Sequence, residues 1–410
     1  MSVRAKRVAR RSTRGKRVTR SAWSRHVEQA TLTSGDDLLR DAKAAFDRIR
    51  DPALQMRLAY EIADTRAREL CLAYKNVVMV AAGYRMKRAA RGATKIEKTP
   101  CVTFVVRRKW KGKGPASQRQ QRLPSHLFTY TGLDGAQALC AVPTDVVIEQ
   151  GFSRAKPQAP SGIVADGEVG NATCAAVLQV GNRRDLVILT CQHVLTPERT
   201  LNTPQPLAGT QVVLLNDTSI PLALTSSNGG QIRSDSNPSF DVQLTGPANP
   251  DALRSALHGL SLSPGREYLS DKSSFDAIAN STQFSMLVSP NNPPKRVTLP
   301  ATFVRYVANV QGIPYRFIIN ANGDWQERPV NHRLLIMFRI LSAQKTEGGD
   351  SGSPIVMRLP GGKYTLVGMH IAGGIEGGFA YSYAIPAWLL FNWTQYSHLP
   401  PGATLAPVNA

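Results

Sequence analysis

The first folded region that the hydrophobic pattern predicts is helical. Asp36 or Asp37 can cap the N-terminus of a helix, because an aspartate side chain accepts a hydrogen bond from a free backbone N–H group of the first turn. Apolar residues then recur at helical spacing, at Leu38, Leu39, Ala42, Ala45 and Phe46. Asp51-Pro52 interrupts the pattern, since the residue before a proline avoids the helical conformation. A second apolar pattern follows, so the spacing predicts a segment of two helices over residues 36–75.

Short runs of β-forming residues come next. They are Asn76–Tyr84, Cys101–Val106 and Asp145–Glu149, with a loop rich in Lys, Gln and Arg near Lys109–Arg122. These runs predict a small α/β module over residues 76–151. The Pro- and Ser-rich stretch from Ser153 to Gly162 then predicts a linker.

Beyond the linker, β-type runs alternate with Gly, Asn and Pro. The predicted strands include Cys174–Val180, Leu186–Thr190, Gln211–Leu215, Phe240–Thr245, Val297–Val310, Leu334–Leu341, Ser353–Met357, Tyr364–Ile371 and Phe379–Ile385. Many short strands with little helix are typical of a β-sandwich or a pair of β-barrels. We therefore expect a mainly β domain over residues 160–397. It would end in an amphipathic helix, Pro386–Tyr396, and a C-terminal tail, residues 398–410.

Composition and charge add a basic N-terminus to this picture. Apolar residues make up 42% of the 410, which excludes disorder of the whole chain, and the net charge is +21. Residues 1–25 carry ten Lys or Arg and no acid, so we expect residues 1–35 to be a flexible tail. Such a tail can contact nucleic acid non-specifically, bind an anionic membrane surface, or remain solvated.

Cysteine usage and hydropathy indicate the compartment. The five cysteines form no CxxC pair and their odd number closes no disulfide framework. No apolar run reaches the roughly 18 residues of a membrane helix, and the basic N-terminus lacks the apolar stretch of a signal peptide. We therefore expect a soluble cytoplasmic protein without a metal site, a cofactor or a transmembrane segment.

The most specific chemical signal is the segment Gly348-Gly349-Asp350-Ser351-Gly352-Ser353-Pro354. A serine becomes a strong nucleophile only when a base takes its proton, and the oxyanion it creates needs preorganised donors. Glycines around the serine allow a tight turn that directs the N–H groups of Gly349 and Ser351 into one hollow. A surface turn rich in Gly and Ser is the alternative interpretation.

A base and a carboxylate complete this constellation. His193 follows an apolar strand in a Thr-x-x-His arrangement, which favours it over the other histidines of the chain, among them His332. Cys191 lacks further spaced ligands and is interpreted as a core cysteine. Asp241 lies amid the apolar run Phe240–Thr245, where burying an acid needs a reason.

The order His193, Asp241, Ser351, with these local motifs, resembles the chymotrypsin/trypsin-like serine peptidases. The resemblance covers about residues 165–397 and implies a chymotrypsin-like double β-barrel. It also implies that His193 is the general base, Asp241 its orienting carboxylate and Ser351 the nucleophile. The chain departs from the secreted digestive enzymes, since it lacks their paired cysteines and their activation site.

The strand after the nucleophile resembles a specificity strand. Gly368-Met369-His370-Ile371-Ala372-Gly373-Gly374 is similar to the corresponding strand of glutamyl endopeptidases and picornavirus 3C-type peptidases. In those families the histidine, with a threonine five residues before the nucleophile, binds the side chain of Glu or Gln. The resemblance implies that Thr346, His370, Gly373 and Gly374 bind substrate. A packed core histidine is the alternative interpretation of His370.

The region before the barrel carries a weaker resemblance. Val77–Tyr84, Thr103–Arg108 and Val142–Val147 look like the leader module of bacterial trypsin-like proteins. Two functions from different classes remain open. The chain is an intracellular serine endopeptidase, or it is a catalytically idle peptidase-fold binding or scaffold protein that contacts nucleic acid through its basic tail. A serine esterase on the same fold is a narrower alternative.

Overall fold

The computed structural model describes most of the chain after residue 35. The described residues are 36–88, 94–107, 109, 123–133, 136–148, 152–153, 163–165, 168–196, 206–214, 219, 221–235, 237–251, 253, 268–280, 284–288, 297–320, 322–341, 346, 350–359, 363–376 and 379–408. The predicted basic tail, nearly all of the Lys109–Arg122 loop and residues 154–162 of the predicted linker lie outside them.

The two predicted N-terminal helices are confirmed. The helices of the described chain are Asp36–Arg48, Pro52–Ala73, Gln192–Leu195, Lys272–Ile278 and Ala387–Leu390, with a 3-10 turn at Trp393–Gln395. Asp51 caps the second helix, because its carboxylate accepts a hydrogen bond of 2.9 Å from the backbone N–H of Ala53. The predicted terminal helix Pro386–Tyr396 is wrong in extent. Asn392 caps the 3-10 turn through the Thr394 N–H instead of continuing the helix.

The strands are numbered in chain order. They are β1 Val77–Arg88, β2 Thr94–Val106, β3 His126–Leu133, β4 Ala136–Ile148, β5 Phe152–Ser153, β6 Ile163–Ala165, β7 Glu168–Gly170, β8 Cys174–Val180, β9 Arg183–Thr190, β10 Gln211–Leu214, β11 Pro221–Gly229, β12 Gln243–Thr245, β13 Phe284–Val288, β14 Val297–Ile318, β15 Trp325–Ile340, β16 Pro354–Arg358, β17 Tyr364–Glu376, β18 Phe379–Pro386 and β19 Thr404–Val408.

The chain divides into two compact units. The smaller unit is made of Met1–Arg48 and Phe128–Ala141. In its described part, the helix Asp36–Arg48 buries Ala42 in a small apolar cluster with Phe128 and Ala141. The larger unit contains the remaining residues and every residue of the candidate site described below.

The larger unit is built on two sheets. One sheet has the strand order β19-β8-β9-β12-β11-β10-β6-β7. In the other, β13 pairs with both β16 and β14, and this closes the ring β13-β16-β17-β18-β15-β14. Closure gives each of these strands a partner on both sides over part of its length. The fold is mainly β, built on these two sheets and preceded by a helical segment, and it agrees with the predicted chymotrypsin-like double β-barrel.

Two boundaries differ from the prediction. The strands of residues 76–151 do not stand apart, because β1 continues the second sheet by pairing antiparallel with β14, from Val80↔Ala308 to Gly83↔Arg305. The predicted C-terminal tail, residues 398–410, contains β19, which pairs antiparallel with β8. Strands from both ends of the chain therefore extend the two sheets.

In the part of the chain that the structure describes, no helix has the length and apolar character needed to cross a membrane.

Candidate active site

His193 is placed by the end of β9. The strand ends at Thr190, and the short helix Gln192–Leu195 begins two residues later, after Cys191. Thr190 is fully buried, and its hydroxyl donates a hydrogen bond of 2.6 Å to the carbonyl of Asn171. The Thr-x-x-His spacing is therefore a structural requirement: the threonine fixes the strand end and the histidine projects from the first turn of the helix.

Asp241 does not lie within a strand, as the sequence suggested, but two residues before β12. The backbone N–H of Ser239 donates to the carbonyl of Asn331 at 2.6 Å, and that of Phe240 donates to Gln231 at 2.9 Å. These bonds hold the approach to β12 in an extended conformation. The Asp241 side chain is completely buried.

Ser351 lies in a tight turn that is bonded to both sheets. Its carbonyl accepts a hydrogen bond of 2.7 Å from the N–H of Asn171, and the next N–H, of Gly352, donates to the carbonyl of His370 at 2.9 Å. Gly352 has a φ of +86°, and a Cβ there would lie 1.9 Å from the carbonyl oxygen of Asn171. Only glycine fits this position. The glycine after the serine therefore serves the turn that presents the serine.

The three predicted catalytic residues come together. The distance from His193 Nε2 to Ser351 Oγ is 2.8 Å, and from His193 Nδ1 to Asp241 Oδ2 it is 2.6 Å. The backbone N–H of His193 also donates to Asp241 Oδ1 at 3.0 Å. The imidazole is 10% exposed and Ser351 is partly exposed. The serine can therefore be reached from solvent, whereas the carboxylate is buried. This arrangement can transfer a proton from the serine to the imidazole.

His370 lies in β17, next to the serine turn. Its N–H donates to the carbonyl of Ser353 at 2.9 Å, its ring Nδ1 lies 2.7 Å from the hydroxyl oxygen of Ser382, and its side chain is buried. Burial, and to a smaller extent the nearby His193, lowers the pKa of His370 to about 3. The ring is therefore neutral at neutral pH.

Thr346 lies against Gly373, and both predicted glycines are within β17. A Cβ at Gly373 would lie 2.0 Å from the Thr346 hydroxyl oxygen, so this threonine sits directly over the glycine backbone. One edge of β17 is covered by β18, and the other is covered by β16 only as far as Met369. Beyond it, β5 pairs with Gly373 and Gly374. The remaining predicted donor, Gly349, lies outside the described residues.

No family model and no curated protein matches the chain. Among solved structures, the NS6 protease of murine norovirus 1 aligns with 17% identity over 51% of this chain and 88% of that chain, with a TM-score of 0.24. An inactive mutant of the same protease, in which a cysteine is replaced by alanine, aligns with 16% identity over 51% and 91% of the two chains, also at 0.24. These alignments are too distant to assign a function, so the side chains must do so.

Cys191 is the cysteine nearest to His193 and Asp241. One ligand atom from each of the three residues lies within 4.8 Å of the others, a spacing compatible with a metal ion. The Cys191 thiol, however, donates to the carbonyl of His370 at 3.4 Å and is completely buried. Burial, reinforced by Asp241, raises its pKa well above the usual range. A protonated, inaccessible thiol is suited neither to ligate a metal nor to attack a substrate.

Two residues at the site were missed by the sequence interpretation. Tyr315 in β14 donates a hydrogen bond of 2.7 Å to Asp241 Oδ2, and His332 in β15 lies 3.3 Å from the same hydroxyl. Nothing in the local sequence distinguishes this tyrosine from an ordinary core aromatic. His332 has no strand-end motif beside it, so its sequence context does not indicate a place at the site.

Proposed function

We propose that the protein is a serine endopeptidase of the trypsin-like type that cleaves peptide bonds through an acyl-enzyme. The observation that carries the proposal is the continuous hydrogen-bonded series Asp241, His193, Ser351, with distances of 2.6 and 2.8 Å. Nucleophilic acyl transfer needs a partly exposed hydroxyl that is hydrogen-bonded to an imidazole, and a buried carboxylate that is hydrogen-bonded to the other nitrogen of that ring. Residues 160–397 are the proposed peptidase domain.

In the proposed reaction, Ser351 Oγ attacks the scissile carbonyl carbon while His193 Nε2 takes the hydroxyl proton. Asp241 holds the proton of His193 on Nδ1 and stabilises the imidazolium that forms. The backbone N–H groups of Gly349 and Ser351 would donate to the oxyanion. His193 then gives its proton to the leaving amine, and a water activated by the same imidazole releases the acyl group.

The edge of β17 beyond Met369 is the proposed binding place for the substrate backbone. An extended peptide can add to a strand edge through main-chain hydrogen bonds, and the edge beyond Met369 begins next to the serine turn. Because β5 pairs with Gly373 and Gly374 on that edge, a substrate strand and β5 exclude each other there.

His370 and Thr346 are the proposed recognition residues for the side chain before the scissile bond. If the Ser382 hydroxyl donates to Nδ1 of the neutral His370, the ring proton lies on Nε2 and is free to meet a substrate oxygen. A glutamine amide oxygen satisfies that donor. A glutamate carboxylate does so as well, but it would lose hydration without meeting a cation among the described residues of the pocket. We therefore propose a preference for Gln, then Glu.

Peptides that differ only in Gln or Glu at this position test the preference. At pH 7 we expect kcat/KM to be roughly tenfold higher for Gln, because the described residues of the pocket, His370 and Thr346, offer neutral donors to an amide oxygen. The matched variant Ser382→Ala should reduce the Gln preference while leaving the rate of acylation by a small activated ester intact. Efficient cleavage after Lys or Arg would contradict the pocket assignment and leave the triad untouched.

Compartment and partners follow as proposals. All five cysteines are free thiols, which supports a reducing compartment such as the cytoplasm. Peptides or proteins are the proposed substrates, and the basic N-terminal residues remain a proposed contact for nucleic acid. The binding-protein alternative is less favoured, because a scaffold has no use for three catalytic side chains aligned at hydrogen-bond distances.

A fluorophosphonate probe tests the proposed function. We expect stoichiometric covalent labelling of the full chain at Ser351, because the probe reacts with an activated serine. Ser351→Ala should remove the labelling. The control variant Ser353→Ala removes a buried hydroxyl two residues away and leaves Ser351 in place, so it should retain the labelling. An unlabelled wild-type protein that is correctly folded by circular dichroism would refute the peptidase and the esterase alike. Labelling without peptide hydrolysis would favour the esterase.

A further inference from the structure

The hairpin formed by β14 and β15 brings Tyr315 to the carboxylate oxygen of Asp241 that also faces His193. We propose that Tyr315 is a positioning residue for the catalytic carboxylate, supported in turn by His332. The inference rests on the proposed peptidase function and extends the triad by residues from the opposite sheet.

Three hydrogen bonds to the Asp241 carboxylate come from His193 and Tyr315. Oδ1 accepts from the backbone N–H of His193 at 3.0 Å, and Oδ2 lies 2.6 Å from His193 Nδ1. Oδ2 also accepts from the Tyr315 hydroxyl at 2.7 Å. Hydrogen bonds to an ionised carboxylate are about twice as strong as neutral ones, and a buried carboxylate depends on them. Without the tyrosine, only His193 groups among these donors would fix the orientation of the carboxylate.

Tyr315 is itself fixed on two sides. Its ring meets the His193 ring edge-on, with a centroid distance of 5.7 Å, and its hydroxyl oxygen lies 3.3 Å from His332 Nε2. His332 is 1% exposed. The hydroxyl carries one proton, and the shorter distance and the charge both favour giving it to Asp241. His332 then occupies the other side of the oxygen, where water would otherwise compete.

The backbone explains why these groups meet. The segment before β12 forms a parallel bridge between Ser239 and His332, and the Ser239 N–H donates to the carbonyl of Asn331. The chain that carries Asp241 is therefore bonded along β15 at the level of His332. This placement fixes the carboxylate of one sheet against the tyrosine of the other.

A second tyrosine of the same strand provides a matched control. Tyr306, also in β14 and fully buried, donates to Asp276 Oδ1 at 2.5 Å. Asp276 is paired with Lys272 at 2.7 Å rather than with a triad residue. Tyr306→Phe and Tyr315→Phe thus remove the same atom from the same strand and the same kind of bond, but only one of these bonds ends on the triad.

The test compares kcat and KM of the two variants after active-site titration with the fluorophosphonate. For Tyr315→Phe we expect kcat to fall by about ten- to a hundredfold with KM unchanged, because a hydrogen bond to the charged carboxylate is lost while the pocket is not. Tyr306→Phe should lower the unfolding temperature without changing kcat per titrated site. A merely structural role for Tyr315 predicts the Tyr306 result for both variants.

His332 is tested through coupling. His332→Gln keeps a polar group near the hydroxyl and should reduce kcat less than Tyr315→Phe does. The double variant should be no slower than Tyr315→Phe alone, since His332 acts through the tyrosine. An unchanged kcat for Tyr315→Phe in a wild-type protein that is labelled at Ser351 would overturn this inference and leave the proposed function standing. Absence of labelling in the wild type would overturn both.

Discussion

Ser351→Ala and His193→Ala are each expected to reduce peptide hydrolysis by roughly 10⁴- to 10⁶-fold, and the double variant is expected to be no worse than either. The reason is geometric: the two atoms lie 2.8 Å apart and act in one proton transfer, so removing either removes the step. Asp241→Asn should cost on the order of 10⁴-fold in kcat, because the amide favours the wrong imidazole tautomer. Single-turnover hydrolysis of a peptide ester and a peptide amide would measure the three losses.

The control for these losses is KM and folding. KM should change little in Ser351→Ala, because the β17 edge and the pocket do not depend on the serine hydroxyl. Circular dichroism should be unchanged for Ser351→Ala and His193→Ala, whose side chains are partly exposed. If His193→Ala retained most of its activity at neutral pH, or if the two losses multiplied in the double variant, the assignment of base and nucleophile would be wrong.

The catalytic constellation was predictable because local backbone geometry demands particular residues. The turn at Ser351 needs glycine at 352, and the strand end at Thr190 needs a buried hydroxyl three residues before the histidine. Such requirements leave a signature in consecutive positions. The apolar runs separated by Gly, Asn and Pro likewise predicted most strands of the closed ring in the second sheet.

Features that depend on distant pairing left no such signature. The sequence predicted Val297–Val310 and Leu334–Leu341, whereas β14 continues to Ile318 and β15 begins at Trp325. The residues at the start of β15 are exposed and polar, and they form a strand because the facing strand supplies their partners. β19 escaped prediction because it contains Pro407, which lacks an N–H and is tolerated only at a sheet edge, where β19 lies.

Tyr315 is the clearest example of a site residue that local sequence patterns do not predict. It is separated from Asp241 by 74 residues and comes from the other sheet, so only the folded chain reveals that its hydroxyl reaches the carboxylate. A buried tyrosine in a strand is ordinary in sequence. Its role arises from the pairing of Ser239 with His332, which no local pattern encodes.

Two buried histidines should make the protein unstable in mild acid. Burial is the main cause that lowers the pKa of His332 to about 4 and of His370 to about 3, against an ordinary value of 6.5. Since the unfolded state binds these protons at higher pH, stability is fully present above pH 6.5. It falls as the pH drops through the window down to about 4 and 3. By pH 5 the two histidines together should lower the free energy of unfolding by on the order of 4 kcal/mol.

Urea unfolding at pH 7, 6 and 5 measures this loss. The range stops at pH 5 so that carboxylates, with ordinary pKa values of about 4, contribute little. His332→Gln should reduce the dependence of the free energy of unfolding on pH by about half. The variant removes one of the two groups that bind a proton more readily in the unfolded chain than in the folded one. His398→Asn is the matched control for replacing a histidine, because this residue is exposed and its φ of 69° is one that asparagine tolerates. A free energy of unfolding that stays constant between pH 7 and 5 would mean that neither ring is held neutral by the fold. The assignment of a neutral ring to His370, on which the proposed glutamine preference depends, would then be wrong as well.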